Sequence, residues 1–549
     1  MDVGNVVVGR VRVGAHVGLR VQPHRRLRED LAYHTDAERD MDTVVDFING
    51  ILWGTADAPL IFKAGILGVL LIAVGIYFTI RLRAIQIRHF LTMFKVIGSS
   101  LKPDTEGGVS SFGAFTTSLG ARVGAGNISG VAIAITLGGP GAIFWMWVVA
   151  FIGMATAMCE ATLAQVFKQK SSLAGPGVFR GGPAYYMARG LNARWMGVIF
   201  SILLIIAFPF VFNAVQANTL AVAVDGSFTG SMGIPQIWIG LVVAALTILV
   251  IFGSISRIAK VTELVVPFMA LAYMVVGIAV IIINITEVPD VISDIFVQAF
   301  VPQSAAGGFA GYAISQALTQ GVKRGLFSNE AGLGSAPNAA AAADVKHPVN
   351  QGYIQTLGVF VDTIIVCTTT ALIILMSGVW TPSDPDKSSY EGVQLTQDSL
   401  SASVGEWGGQ LIAITLVFFT FSSIIANYYY GETGLRFFTR SKVALMILRL
   451  CVIGMVIWGS VQAVATVWNL ADAALGLMAL VNLAALLLLG GIAIKVVKDF
   501  ERQRKEGVDK PVFDGAAFPE LEHKLAPGVW TPDPYEDYLE SAQGKAPPS

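Results

Sequence analysis

The chain has 549 residues, of which 54% are hydrophobic and 14% charged, and its mean hydropathy is +0.64. A soluble domain carries roughly a quarter charged residues, so the composition is that of an integral membrane protein. A net charge of −1 without a basic tract argues against nucleic acid as a partner. Cys159, Cys367 and Cys451 each lie in an apolar run, without the spacing of a metal site or a disulfide framework. The histidines sit in the N-terminal segment or in expected loops, which weighs against a His-based metal centre. No Ser/His/Asp set and no Walker-type loop appears, so an enzyme is not expected.

Residues 1–40 differ from the rest. They are rich in arginine (Arg10, Arg12, Arg20, Arg25, Arg26, Arg28) and lack the apolar core of a secretory signal. They are read as a dispensable extension or a mis-assigned start, with translation beginning at Met41. Residues 41–110 then hold an amphipathic stretch, the first span and a basic loop.

About 20 apolar residues are needed to cross the hydrocarbon core. Spans are expected near Phe62–Ile80, Phe115–Leu137, Gly141–Phe167, Trp195–Val222, Gln236–Ser254 and Val261–Ile285. Five more follow at Gly308–Ala343, Tyr353–Val379, Gln410–Gly434, Val443–Val464 and Ala473–Val496. The seventh is long and broken. Basic residues cluster after every odd-numbered span: Arg81 to Lys102, Lys168 to Arg194, Arg257 and Lys260, Lys346, and Arg436 to Lys442. The alternate loops, Asp225–Pro235, Thr286–Gly307 and Trp380–Gly409, hold only Lys387. Odd-numbered spans are therefore expected to end in the cytoplasm, with the C-terminus inside. Residues 498–549, rich in proline and charge, read as a disordered cytoplasmic tail.

Span two opens with Gly120-Ala-Arg-Val-Gly124-Ala-Gly126-Asn127-Ile-Ser-Gly130, a poor recipe for a plain helix. Within a bilayer, irregular backbone survives only where protein or a polar cavity surrounds it. Five spans later, span seven carries Gln320-Gly321 and then Ser328-Asn-Glu-Ala-Gly332-Leu-Gly334. Five is odd, so two five-span units have opposite topology, with interrupted helices at matching positions. That pattern points to a secondary transporter. Opened turns leave carbonyls for a cation and N–H groups for a carboxylate. The competing reading is that small residues merely permit close helix packing.

Three strings carry a family resemblance. They are Thr117-Ser-Leu-Gly-Ala-Arg-Val-Gly-Ala-Gly-Asn-Ile-Ser-Gly130 with its sequel to Trp147, Phe327-Ser-Asn-Glu-Ala-Gly-Leu-Gly-Ser-Ala-Pro337, and Phe418-Phe-Thr-Phe-Ser-Ser-Ile-Ile-Ala-Asn427 to Glu432. Over about Met41 to Phe500 the chain resembles the alanine or glycine:cation symporter family. The resemblance implies an all-α integral membrane fold of about eleven transmembrane helices. This is a leucine-transporter-like inverted 5+5 repeat with two broken helices and one extra N-terminal helix, its repeats at 111–285 and 286–497. It implies sodium-coupled import of alanine, glycine or a similar small amino acid across the cell membrane, with Na+ as the co-transported ion.

By the same resemblance, N–H groups at Gly124 and Gly126 receive the substrate carboxylate and Asn127 faces substrate or ion. The alternative for Asn127 is a cap on the broken helix. Gly120 and Val123 offer carbonyls to sodium, and Ser422 and Ser423 complete that shell with hydroxyls, hard ligands for a hard cation. Paired serines in a span otherwise bond back to their own helix. Gln216 matches a substrate-pocket position, and Gln320 and Gly321 are assigned to the second break. Asn427 stands where some members carry tryptophan, which bears on substrate size. Among intramembrane charges, Arg122 is expected to pair with Glu160, Glu330 or a substrate carboxylate. Glu160 is expected in a buried structural pair, and Lys323 and Arg324 where span seven meets water. Proton coupling through Glu160 or Asp362 is the alternative mechanism; a channel or substrate-gated receptor fits less well, because most spans are apolar with isolated polar residues.

Overall fold

The computed structural model describes residues 36–54, 65–100, 108–171, 178–229, 232–253, 255–300, 310–381 and 392–531. The expectation for the N-terminal extension lies outside them up to residue 35. The chain divides into a unit ending at Asp46, described only as one stretch of helix, and a unit from Phe47 onward.

The described residues are mostly helical, with a two-stranded sheet pairing Gln169–Lys170 with Phe179–Arg180 and an isolated bridge between Val109 and Ala343. The main helices are α1 (Asp36–Trp53), α2 (Gly65–Arg81), α3 (Ser111–Arg122), α4 (Val131–Gly138), α5 (Gly141–Val166) and α6 (Arg194–Thr229). Then come α7 (Ile237–Ile251), α8 (Ile255–Ile283), α9 (Val288–Gln298), α10 (Ala310–Asn329), α11 (Pro337–Ala340) and α12 (Pro348–Met376). The last are α13 (Val393–Val404), α14 (Trp407–Phe438), α15 (Lys442–Ser460) and α16 (Val464–Lys505).

Helix occupies each of the eleven expected spans. Seven helices are long and apolar enough to cross a membrane, and the bent α3–α4 pair makes up to eight. α2 and α7 are apolar but shorter, while α10, at 20 residues, is less apolar. α16 runs well past the expected end at Val496: its 42 residues span about 63 Å. That is twice the thickness of a hydrocarbon core of roughly 30 Å.

Small residues bring the central helices together. Gly153 of α5 packs so closely on α10's end that an added Cβ would meet Ala331 at 2.9 Å. A Cβ on Gly352 of α12 would meet Thr162 at 2.8 Å. Thr356 of α12 reinforces that contact, donating to the Met154 carbonyl at 3.1 Å. Close backbone approach, with hydroxyls bonding across or back to carbonyls, is how helices associate where water supplies no driving force.

Residues 498–531 differ from the expectation of disorder. After α16, Asp514 caps a short turn, and Phe513, Phe518, Leu521 and Leu525 are buried. The Phe513 amide donates to the Lys346 carbonyl at 2.9 Å, and the Trp530 indole N–H to the Gln165 carbonyl at 2.9 Å. This spaced apolar set buries enough surface to offset the entropy of ordering a polar, proline-containing segment. Beside it His347 caps α12: its Nδ1 accepts from the Val349 amide, and burial pushes its pKa down to about 4.

Candidate functional site

The first break lies between α3 and α4, whose axes bend by 49°. α3 ends at Arg122, and a π-helical turn, Gly126–Gly130, leads into α4. Val123, extended at φ −77° and ψ 93°, directs its carbonyl out of the helical ladder. The freed amides are met by side chains: Gly124 N–H donates to Asn127 Oδ1 at 2.9 Å, and Ala125 N–H to Gln216 Oε1 at 2.9 Å. Asn127 is thus a cap, and Gln216 of α6 is a second one.

The other end of the Asn127 amide reaches the centre of the site. Its Nδ2 donates to Asp362 Oδ1 at 2.7 Å and to Ser328 Oγ at 3.1 Å. Asp362 sits in a π-helical stretch of α12, Phe360–Cys367, and also accepts from Ser328 at 2.6 Å and Thr363 at 2.8 Å. All these groups are buried. The Asn127–Asp362 contact joins the first break to α12, and Ser328 ties both to the end of α10.

On the opposite side of the first break, α14 presents two hydroxyls. Ser423 Oγ lies 2.8 Å from the Gly120 carbonyl and 3.4 Å from that of Val123; Ser422 Oγ lies 3.5 Å from Gly120 O. The same hydroxyls are 2.9 and 3.0 Å from the Phe419 carbonyl on their own helix. Each can therefore donate to Phe419 and turn its lone pairs toward the break. The structure brings Gly120, Val123, Ser422 and Ser423 together as a shell of hard oxygens.

The second break is stitched shut. Glu330 adopts the left-handed region at φ +58°, followed by Gly332 at +96° and Gly334 at +82°. Glu160 of α5 accepts from the Gly332 amide at 3.0 Å and from Asn482 of α16 at 2.6 Å, and Asn482 also donates to Gly332 O at 3.0 Å. Tyr186 donates to Asn482, Ser335 to Glu330, and Asn338 to the carbonyls of Gly334 and Ser335. Gln320 and Gly321 do not belong to this break. They lie two turns or more earlier on α10, where a Cβ on Gly321 would meet the Ala142 carbonyl at 2.5 Å, so tight packing accounts for the glycine.

Other expectations are corrected too. Among the described residues Arg122 bonds the Gln355 carbonyl at 3.3 Å and makes no direct ion pair with Glu160 or Glu330. Glu160 is buried, but its partners are an amide N–H and a side-chain amide. Arg324 is buried at 4% exposure and pairs with Asp472 of α16 at 2.7 Å, with Lys323 at 3.6 Å. Asn427, one turn beyond Ser423, donates to Asn213 at 2.9 Å. Reasoning from sequence missed Ser328, Asp472 and Asn482, and also an aromatic wall. In that wall Phe212 stacks on Phe327 (4.2 Å), and Phe327 stands 4.4 Å from Trp468, which carries Arg324 at 4.7 Å. Gly126 and Gly130 give it room: a Cβ there would meet Phe327 at 2.8 Å and Trp468 at 3.3 Å.

The profile of the sodium:alanine symporter family matches residues 38–515, across both breaks and the α14 serines. The chain belongs to the sodium:alanine symporter family. It is 47% identical over 473 residues to the amino-acid carrier protein AlsT of Bacillus subtilis, covering 86% of this chain and 95% of that one. The probable sodium/glutamine symporter GlnT of the same organism is 45% identical, with 86% and 93% covered. The sodium/alanine symporter AgcS of Methanococcus maripaludis is 38% identical, with 85% and 98% covered. This family member is therefore a multi-pass membrane transporter of the amino-acid:cation symporter class, not an enzyme.

Proposed function

We propose that the protein is a sodium-coupled symporter that imports a small neutral amino acid, alanine or glycine, by alternating access across the cell membrane. The observation that carries this reading is the convergence of the Gly120 and Val123 carbonyls with the Ser422 and Ser423 hydroxyls, 2.8 to 3.5 Å apart. A Na+ ion there would bind α3 to α14. It would replace hydrogen bonds that at present hold the same oxygens together.

The substrate would lie against the first break. Its ammonium group pairs with Asp362, whose charge is already oriented by Asn127, Ser328 and Thr363. Its carboxylate faces the opened backbone near Gly124 and Gly126, within reach of the dipole at the start of α4. Sodium and substrate thus bind adjoining stretches of one interrupted helix, which provides coupling: each orders backbone that the other needs. With odd-numbered spans ending inside, the C-terminus is cytoplasmic. The Phe327–Trp468 wall and the Arg324–Asp472 pair then close the site from outside. Two five-helix repeats, 111–285 and 286–497, would rock against one another.

Uptake of radiolabelled alanine into proteoliposomes, with and without an inward sodium gradient, tests this reading. Accumulation that needs sodium and is competed by glycine supports it. The second reading, proton coupling, draws on Asp362 and Glu160 as buried carboxylates within the bundle. Uptake that ignores sodium and collapses without a pH gradient selects it.

A further inference from the structure

Away from the breaks, the end of α14, the two-stranded sheet and the helix Pro183–Gly190 enclose two adjoining cavities of about 480 and 330 Å³. Both are lined by Tyr185, Arg189, Arg436 and Arg440; Arg194 completes the first, Arg180 and Lys170 the second. Among the five arginines, Arg180 and Arg436 share the carboxylate of Glu432, 3.5 Å from both. Arg189 is held by Gln169 Oε1 at 3.1 Å, a neutral acceptor, and burial lowers its pKa. Among the described residues no carboxylate lies within ion-pair distance of Arg189, Arg194 or Arg440.

Such a cluster is not merely a solvated basic face. Arg180 and Arg436 are only 12% and 10% exposed. Tyr185 is 4% exposed, and its buried hydroxyl, on the wall of both cavities, has no hydrogen-bond partner. Another cavity, of about 560 Å³ between α2 and α16, shows the contrast. There the basic side chains are solvated: Arg88, bonded to Glu501 at 2.9 Å, is 41% exposed, and Arg502, bonded to Glu506 at 3.2 Å, is 58% exposed. The first cleft instead buries guanidinium forks beside a phenol without a partner, a donor set suited to phosphate oxygens. Phe438 of its lining is 40% exposed, and Trp195, next in sequence to Arg194, is 68% exposed, so apolar surface adjoins the basic side chains.

We propose that this cleft is a binding site for a phosphate-bearing anion at the membrane surface, either the headgroup of an anionic lipid or a soluble phosphate compound. On the orientation proposed above, it faces the inner leaflet, where basic pockets between helices bind anionic headgroups.

Protein stripped of lipid in detergent is titrated with cardiolipin and, separately, with inorganic pyrophosphate, reading the thermal unfolding midpoint. A saturable rise is expected, requiring at least tenfold more ligand in Arg189→Gln/Arg440→Gln. Arg189→Lys/Arg440→Lys keeps most of the response, which separates lost charge from lost fold. Arg83→Gln/Lys498→Gln, in the solvated cavity, responds like wild type. A response to cardiolipin alone assigns the ligand as a lipid headgroup; a response to both assigns the site to phosphate in general. No rise with either probe overturns the proposal, as does equal weakening in the two glutamine variants. A rise that appears only after residues 532–549 are removed also overturns it, making the chain's own Asp533, Glu536, Asp537 and Glu540 the occupant.

Discussion

The first break is closed by neutral amides and hydroxyls, the second by a carboxylate and an asparagine anchored on other helices. At the first, Asn127 and Gln216 each satisfy one amide, and the Ser423 hydroxyl is shared between the Gly120 and Val123 carbonyls and the Phe419 carbonyl of its own helix. At the second, Glu160 and Asn482 hold both the N–H and the C=O of Gly332, from α5 and α16. Carbonyls that accept from a rotatable hydroxyl can exchange it for a cation at little cost. Glu160 and Asn482 instead clamp one residue from two other helices, and removing either leaves a buried polar partner underbonded. The first break is therefore built to exchange partners and the second to hold its shape.

Four substitutions can break or sharpen that contrast. Asp362→Asn removes the charge that Asn127 and Ser328 orient. Substrate affinity should fall about 100-fold, the scale for losing one member of a buried charged pair. Scintillation proximity binding of alanine reads this directly, and unchanged affinity would exclude Asp362 from the site. Asn482→Ala strips partners from Glu160, Tyr186 and Gly332, so the unfolding free energy should drop by about 2 kcal/mol. Its sodium half-activation should stay put; a large shift would show that the second break also binds the ion.

Ser423→Ala should raise the sodium concentration for half-maximal uptake about tenfold, the effect of one hydrogen-bond-scale contact to a charge, while the rate at saturating sodium survives. An unchanged activation curve removes Ser423 from the shell. Gly332→Ala asks an L-residue to hold φ +96°, costing about 1 kcal/mol. That loss should appear in thermal unfolding and not in alanine affinity.

Much of this was legible in the chain. The string around Gly124 marked one side of the oxygen shell, because a glycine-rich interruption is unusual in an apolar span; the Ser422–Ser423 side came from the family resemblance, since paired serines alone suggest bonds back to their own helix. The second break was visible in Ser328 to Gly334, but its neighbours Gln320 and Gly321 were assigned to it wrongly. A glycine that opens a helix and one that lets another helix approach look the same in sequence. Asp362 was read only as a carrier for the alternative proton coupling and not as part of the substrate site, since its Asn127 partner lies 235 residues away. Lys323 and Arg324 were read as solvated because Asp472, 148 residues from Arg324, gave no local sign of pairing with them. The segment after Phe500 was read from its prolines and charges, which outweighed the spaced Phe513, Phe518, Leu521 and Trp530.

Apolar length and glycine placement by themselves determined where helices form and where two of them break, because both depend on local backbone and solvation. Which buried polar atoms meet was decided only by tertiary structure. A helix can turn any of its faces toward a neighbour, and only packing chooses the rotation that sets Asn127 against Asp362, Ser423 against Gly120 and Glu160 against Gly332.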